Sequence, residues 1–230
     1  MIKIGLALSI ISAGLLLGGP LGTRFGLWSF IIGFVMLGLS VLLALVGASL
    51  ALVAAVKTGQ WALAAIGIVI GLAVVSVPSA AILSARGAPP IHDITTDPDN
   101  PPAFVAILPL RTGAANPPEY AGGDVTAQQR RAYPDIQPLT LNLPVAQAFD
   151  RVRAAVRELG WNVVASDREA GRIEAVDSTF WFGFKDDVVI RVKEAAVGST
   201  RIDVRSKSRV GVGDLGTNAR RVRTLLTRLQ

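Results

Sequence analysis

The sequence predicts an α+β protein: three N-terminal transmembrane helices, then a domain with an antiparallel four-stranded sheet backed by two helices. Three observations predict it. Residues 1–85 carry only Lys3, Arg24 and Lys57 as charges, while every Asp and Glu lies after residue 90. Three long apolar runs fill that first segment. After residue 138 a helical period gives way to glycine-punctuated runs of period two, and then returns. Lipid is the expected solvent of the first part and water that of the second.

The apolar runs cover 4–21, 27–50 and 61–83 within an anchor spanning residues 1–85. Crossing the hydrocarbon takes about 20 apolar residues as a helix. The first run is marginal in length and starts behind Lys3, as a signal peptide would. Gly18-Gly19-Pro20 offers no small-x-small cleavage site, and a second span follows at once, so the run reads as a span. Trp28 and Trp61 fall at span ends, where indole prefers the interface. Gly14/Gly18 and Gly67/Gly71 have the spacing of close helix approach, although glycine is common in membrane helices anyway. No ionisable residue interrupts a run, which fits an anchor rather than a transporter. Three passes put the termini on opposite sides. The slight excess of Lys3, the α-amine and Lys57 over Arg24 and Arg86 favours a cytoplasmic N-terminus and an external C-terminal domain.

Residues 86–138 hold ten prolines. Proline blocks helix interiors and sheet ladders, so an extended arm is expected, with one short strand at 104–108. Residues 139–230 form the α+β domain. Pro144 opens a helix whose apolar positions are Val145, Phe149, Val152, Val156 and Leu159, and Gly160 ends it. Strands are expected at 161–166, 172–182, 187–193 and 200–209, joined by short links that contain Gly171, Gly183 and Gly198. A last helix is expected over 215–229, with Asp214 as its cap and Leu215, Ala219, Val222, Leu226 and Leu229 on its apolar face. Val188, Ile190 and Val192 pair logically with Ile202 and Val204 as the buried set. The alternate positions Arg191, Lys193, Arg201, Asp203, Arg205, Lys207 and Arg209 share the opposite face, which reads as an open basic front.

Ile91-His-Asp-Ile-Thr-Thr-Asp-Pro-Asp-Asn-Pro-Pro-Ala-Phe104, Tyr133-Pro-Asp-Ile136, Phe182-Gly-Phe-Lys-Asp-Asp-Val-Val-Ile-Arg191 and the stretch from Arg205 to Asn218 resemble the bacterial family catalogued as domain of unknown function 1499. The resemblance runs from about Pro90 to the end through several separated motifs. It implies membrane spans ahead of the domain. It brings no activity and no catalytic residues.

The chain has a formal net charge of +6, one histidine and no cysteine. Disulfides, thiol catalysis, thiolate metal sites and multi-histidine metal sites are thereby excluded, and no metal or cofactor is expected. Asp93, Asp97 and Asp99 resemble part of an oxygen-ligand cluster, but the prolines among them fit turn-capping better. His92-Asp93 lacks a neighbouring nucleophile. Asp186-Asp187 could be paired carboxylates for acid–base work, but adjacent strand residues point to opposite faces, which argues against a shared site and favours a turn role.

Two groups carry the functional expectation. Gly211, Gly213 and Gly216 spell G-x-G-x-x-G between a strand and a helix, the context in which such a motif can hold a phosphate. A dinucleotide fold also needs a further strand with an acidic residue, for which the residues after Gly216 leave no room. What remains is a basic, glycine-rich helix entry with Arg205, Lys207, Arg209, Asn218 and Arg221 as anion-binding candidates. The alternative is a solvated basic face. Phe180, Trp181, Phe182 and Phe184 form the densest aromatic group; they suit either the bilayer interface or a cap on the domain core.

The leading expectation is a multi-pass envelope protein whose water-facing domain binds an anionic lipid headgroup, polymer or protein without catalysis. A hydrolase with Arg205 and Arg209 as clamps and Asp203 or Asp214 as acid–base group is one alternative. Assembly with another membrane protein is the other. Nucleic acid is not expected as a partner of a domain outside the membrane.

Overall fold

The computed structural model describes residues 1–230, which divide into two units. The first comprises residues 1–86 together with 180–183, and the second residues 87–179 and 184–230.

In the first unit, helices α1 (Ile2–Arg24), α2 (Phe30–Thr58) and α3 (Trp61–Ser84) are each long and apolar enough to cross a membrane. They run up, down and up. A Cβ on Gly5 would meet Gly47 and Ala51, and one on Gly19 would meet Gly33, so α1 and α2 are antiparallel. A Cβ on Gly71 would stand 2.9 Å from the Ala44 carbonyl oxygen, which sets α3 against α2 in the same sense. Backbones approach this closely only where side chains are missing, and that is how helices gain dispersion contacts in lipid. Of the anticipated pairs, Gly67 and Gly71 face a neighbouring helix, whereas Gly14 has nothing nearby.

The second unit is built on a six-stranded antiparallel sheet rather than the four strands expected. Its strands are β1 (Asp93–Thr95), β2 (Leu139–Leu141), β3 (Asn162–Asp167), β4 (Arg172–Ser178), β5 (Lys185–Ala196) and β6 (Ser199–Ser208). The order is β1-β6-β5-β4-β3, and β2 also pairs with β6. The extra strands lie near the start of the proline-rich segment and just after its end, and they place β6 inside the sheet. That segment also contains helix α4 (Gly123–Ala132), so it is not simply extended. The strand expected at 104–108 does not form. Instead the backbone N–H groups of Val105, Ala106 and Ile107 all donate to the Glu174 carboxylate, at 2.9–3.0 Å, before a 3-10 turn at Leu108–Arg111. Three successive donors converging on one carboxylate is incompatible with the alternation of a strand.

Helices α5 (Val145–Glu158) and α6 (Thr217–Leu229) cover one face of the sheet. Phe149, Val152, Val156, Val222, Leu225 and Leu229 pack on Val188, Ile190, Val192, Ile202 and Val204, all buried. Burial of each large side chain contributes about 1.5–3 kcal/mol. Asp214 does bind the start of α6, accepting from the N–H groups of Gly216 and Asn218 at 2.8 Å. The cap position itself is Gly216, whose φ of 75° lies in the left-handed region that glycine tolerates.

Candidate functional site

The expected open basic front is a covered face. From Ile202 to Ser208 every residue of β6 is buried, on both sides of the sheet. The proline-rich segment lies over the charged side and brings carboxylates and carbonyl oxygens to it. Arg205 is only 2% exposed. Its Nε and Nη2 donate to both oxygens of Asp93 at 2.9 and 2.8 Å, and its remaining donors reach the carbonyls of Pro102 and Pro118. The rings of Phe104 and Tyr120 flank the guanidinium at 4.8 and 5.4 Å. Lys207 reaches the same Asp93 at 2.9 Å and donates to the Glu119 carbonyl. Burial pulls its ammonium pKa below the ordinary value, against the opposing pull of Asp93. Arg209 and Arg111 both hold Asp187, at 2.7 and 2.5 Å.

Arg221 stands on the other face. Its Nη2 meets Asp186 at 2.7 Å and Asp177 at 2.8 Å, and its Nη1 donates to Asn218 Oδ1 and Ser206 Oγ. Asn218 donates in turn to Ser208 Oγ and the His92 carbonyl. Burial pushes the Asp186 carboxyl pKa up, and Arg221 pulls it down. Arg205, Arg209 and Arg221 therefore do not converge: each is anchored by a different carboxylate. Asp186 and Asp187 are not a turn pair. They lie in β5, opposite Ser208 and Lys207, and face opposite sides as adjacent strand residues must.

Within the G-x-G-x-x-G stretch the glycines have different surroundings, Gly216 being the residue before α6. Gly211 accepts a hydrogen bond from Asn116, and a Cβ on Gly213 would stand 3.1 Å from Pro90 Cα. Asp203, once a possible acid–base group, lies between Arg191 at 2.8 Å and Arg201 at 2.9 Å. Asp97 joins the same two arginines, so Asp93, Asp97 and Asp99 each serve arginines rather than a shared cation. His92 Nδ1 lies 3.0 Å from the Val212 carbonyl.

The aromatic group separates. Phe184 closes the β4–β5 hairpin with Thr179 through two hydrogen bonds in the second unit. Phe180, Trp181 and Phe182 belong to the helical unit, where Phe182 stacks on Phe34 with centroids 4.7 Å apart. Phe180 is 74% exposed and Trp181 40%, so neither caps the domain core.

An open concavity of the domain lies elsewhere. A cleft of about 510 Å³ is lined in part by Thr96, Asp99, Arg130, Tyr133, Gln137 and Arg201. Gln129 positions it by clamping α4 to β1: its side-chain amide accepts from Thr95 N–H and donates to Thr95 O. The next residue, Arg130, turns outward, and its Nη2 donates to both carboxylate oxygens of Asp99, at 2.7 and 2.6 Å, with side chains 55% and 80% exposed. Arg201 is 42% exposed and is held by Asp97 and Asp203. These two guanidinium groups were missed in the sequence, because Arg130 sits in a segment without apolar periodicity and Arg201 looked like any other front residue.

A family model described as "Protein of unknown function (DUF1499)" matches residues 93–229. No curated protein and no solved structure matches the chain.

Proposed function

The chain belongs to the DUF1499 family, and from that premise and the geometry we propose that it is a membrane-anchored binding protein whose water-facing domain captures a phosphate- or carboxylate-bearing partner in the cleft between Arg130 and Arg201. The carrying observation is that the guanidinium groups of Arg130 and Arg201 are partly open to solvent, while the cations further along β6, Arg205 and Lys207, are enclosed. The Arg130–Asp99 pair is exposed and so contributes only about 0–1 kcal/mol. An incoming anion can replace Asp99 at little cost. Charge-assisted contacts from a guanidinium fork are worth roughly 1.5–3 kcal/mol each where water is partly excluded. Tyr133, Ile136 and the flanking prolines supply apolar walls against which such a group is desolvated.

The domain acts by binding rather than turnover on this reading, and the partner is a component of the bacterial envelope. The orientation that goes with it has Lys3 and Lys57 in the cytoplasm and the domain in the periplasm. Single cysteines in place of Lys3 and Ser199, labelled in intact cells with an impermeant thiol reagent, test it. Reaction at 199 and not at 3 is expected; the reverse contradicts the orientation.

Binding is tested on the full chain in neutral detergent, with polyphosphate and polyglutamate as probes. Replacing Arg130 and Arg201 together by Gln should weaken affinity by at least about tenfold, that is by about 1.4 kcal/mol or more. The paired replacement Arg151→Gln with Arg157→Gln, on exposed positions of α5, should change little. Equal losses in the two double variants, or none in either, would sink the cleft as the binding site.

A further inference from the structure

The helical unit carries an aromatic group of which its own packing uses one member. Phe182 is the packed member: it stacks on Phe34, one turn inside α2, where Gly33 leaves room. A Cβ on Gly33 would stand 3.0 Å from Phe182 Cε1 and 2.4 Å from Thr23 Oγ1. Gly183, at φ 68°, runs beside Arg24, where a side chain would strike the α1 backbone. Arg24, the last residue of α1, donates from Nη1 to the Phe180 carbonyl at 2.7 Å and lies over the Phe180 ring. These contacts fix residues 180–183 at the end of the bundle where α1 stops and α2 begins.

Phe180 and Trp181 then stand edge to face, 5.5 Å apart, with their surfaces outward. At the same end Phe25 and Leu27, in the short link from α1 to α2, are each 71% exposed. Large apolar side chains grouped in this way mark an interaction surface. This one is continuous with the outward apolar sides of the spans, which face lipid. It also lies at the level where the hydrocarbon ends, as Arg24 and the indole of Trp28 indicate.

We infer that Phe180 and Trp181, with Phe25 and Leu27, form a lipid-binding patch that enters the boundary between headgroups and acyl chains. The Phe182–Phe34 stack is the plug that holds the patch at that depth. The partner is the bilayer itself, recognised through aromatic and aliphatic surface. The site is separate from the cleft, and its success or failure leaves the anion-binding reading untouched.

The absence of cysteine makes the test direct. Single-cysteine variants Phe180→Cys, Trp181→Cys and Phe25→Cys of the full chain are each labelled with a small fluorophore and reconstituted in phosphatidylcholine vesicles. Phosphatidylcholine bearing a nitroxide near the top of its acyl chain is the quencher, and the same fluorophore on free cysteine in buffer is the aqueous reference. Labels at 180 and 181 are expected to lose emission to the same degree as the label at 25, and to resist quenching by iodide in the bulk. Emission at 180 and 181 that ignores the lipid nitroxide but is quenched by iodide like the free conjugate would overturn the patch. The two positions are read independently, so a variant that fails to fold leaves the other to decide.

Discussion

The two units bury opposite kinds of group. Inside the helical unit the buried polar side chains include Ser9, Ser12 and Ser40, and the hydroxyls of Ser12 and Ser40 bond to carbonyls of their own helices. Contact between helices rests on missing side chains, at Gly5, Gly19, Gly33, Gly47 and Gly71. The domain instead buries Asp93, Glu174, Asp186, Asp187, Asp203, Arg111, Arg205, Lys207 and Arg221. The solvents explain the contrast. Lipid gives no reward for hiding apolar surface, so helices associate through close backbone packing. Water rewards apolar burial strongly, so the domain's apolar face needs no further help to collapse. Buried charge there adds little net stability, but it penalises any arrangement that leaves one member alone. The carboxylates are therefore expected to fix how the proline-rich segment lies on the sheet.

The contrast can be broken from either side. The largest effect is expected from Asp93→Ala, which strands both Arg205 and Lys207. Loss of one partner of a buried pair costs about 3–5 kcal/mol. Chemical denaturation of the full chain, followed by far-UV circular dichroism, should show it; an unchanged midpoint would mean that water replaces the carboxylate. Gly33→Leu comes next. Overpacking a tight contact costs about 1–3 kcal/mol, and the signal is a separation of α1 from α2 measured in detergent. A smaller, graded effect belongs to Lys207. Its pKa in the folded chain lies below the ordinary 10.5, so its contribution is fully present above 10.5 and is lost as pH falls through the folded value. The stability of the wild type relative to Lys207→Met should therefore rise with pH across that alkaline window; a flat difference contradicts the burial of a charged ammonium. The smallest effect is expected from Arg228→Ala, whose pair with Glu158 is more than half exposed and contributes at most about 1 kcal/mol.

Much of the architecture was legible because burial and period agreed. The three apolar helices follow from unbroken apolar runs, and helix α5 and the alternation of Val188, Ile190 and Val192 follow from one-sided patterns. Strand β6 was misread because alternating charge normally signals solvent, and here it signals a second buried layer of ion pairs. The cover comes from residues whose proline content hides any period. Its decisive contacts are single carboxylates and main-chain groups, such as the three N–H groups on Glu174, which leave no pattern in sequence. One sign was present: Asp186, Asp187 and Asp203 stand in the same strands as the cations, so the charges had partners within reach. The cleft could not be read because Arg130 and Arg201 are 71 positions apart in sequence and meet only through the pairing of β1 with β6.

The most direct measurement is the denaturation midpoint of the double replacement Arg205→Ala with Arg209→Ala, read beside polyphosphate binding by the same protein. With the arginines enclosed, the variant should lose about 3 kcal/mol or more of stability. Under conditions where it remains folded, it should still bind polyphosphate through Arg130 and Arg201. A midpoint equal to that of the wild type, together with lost binding, would show that Arg205 and Arg209 face an anionic partner rather than Asp93 and Asp187.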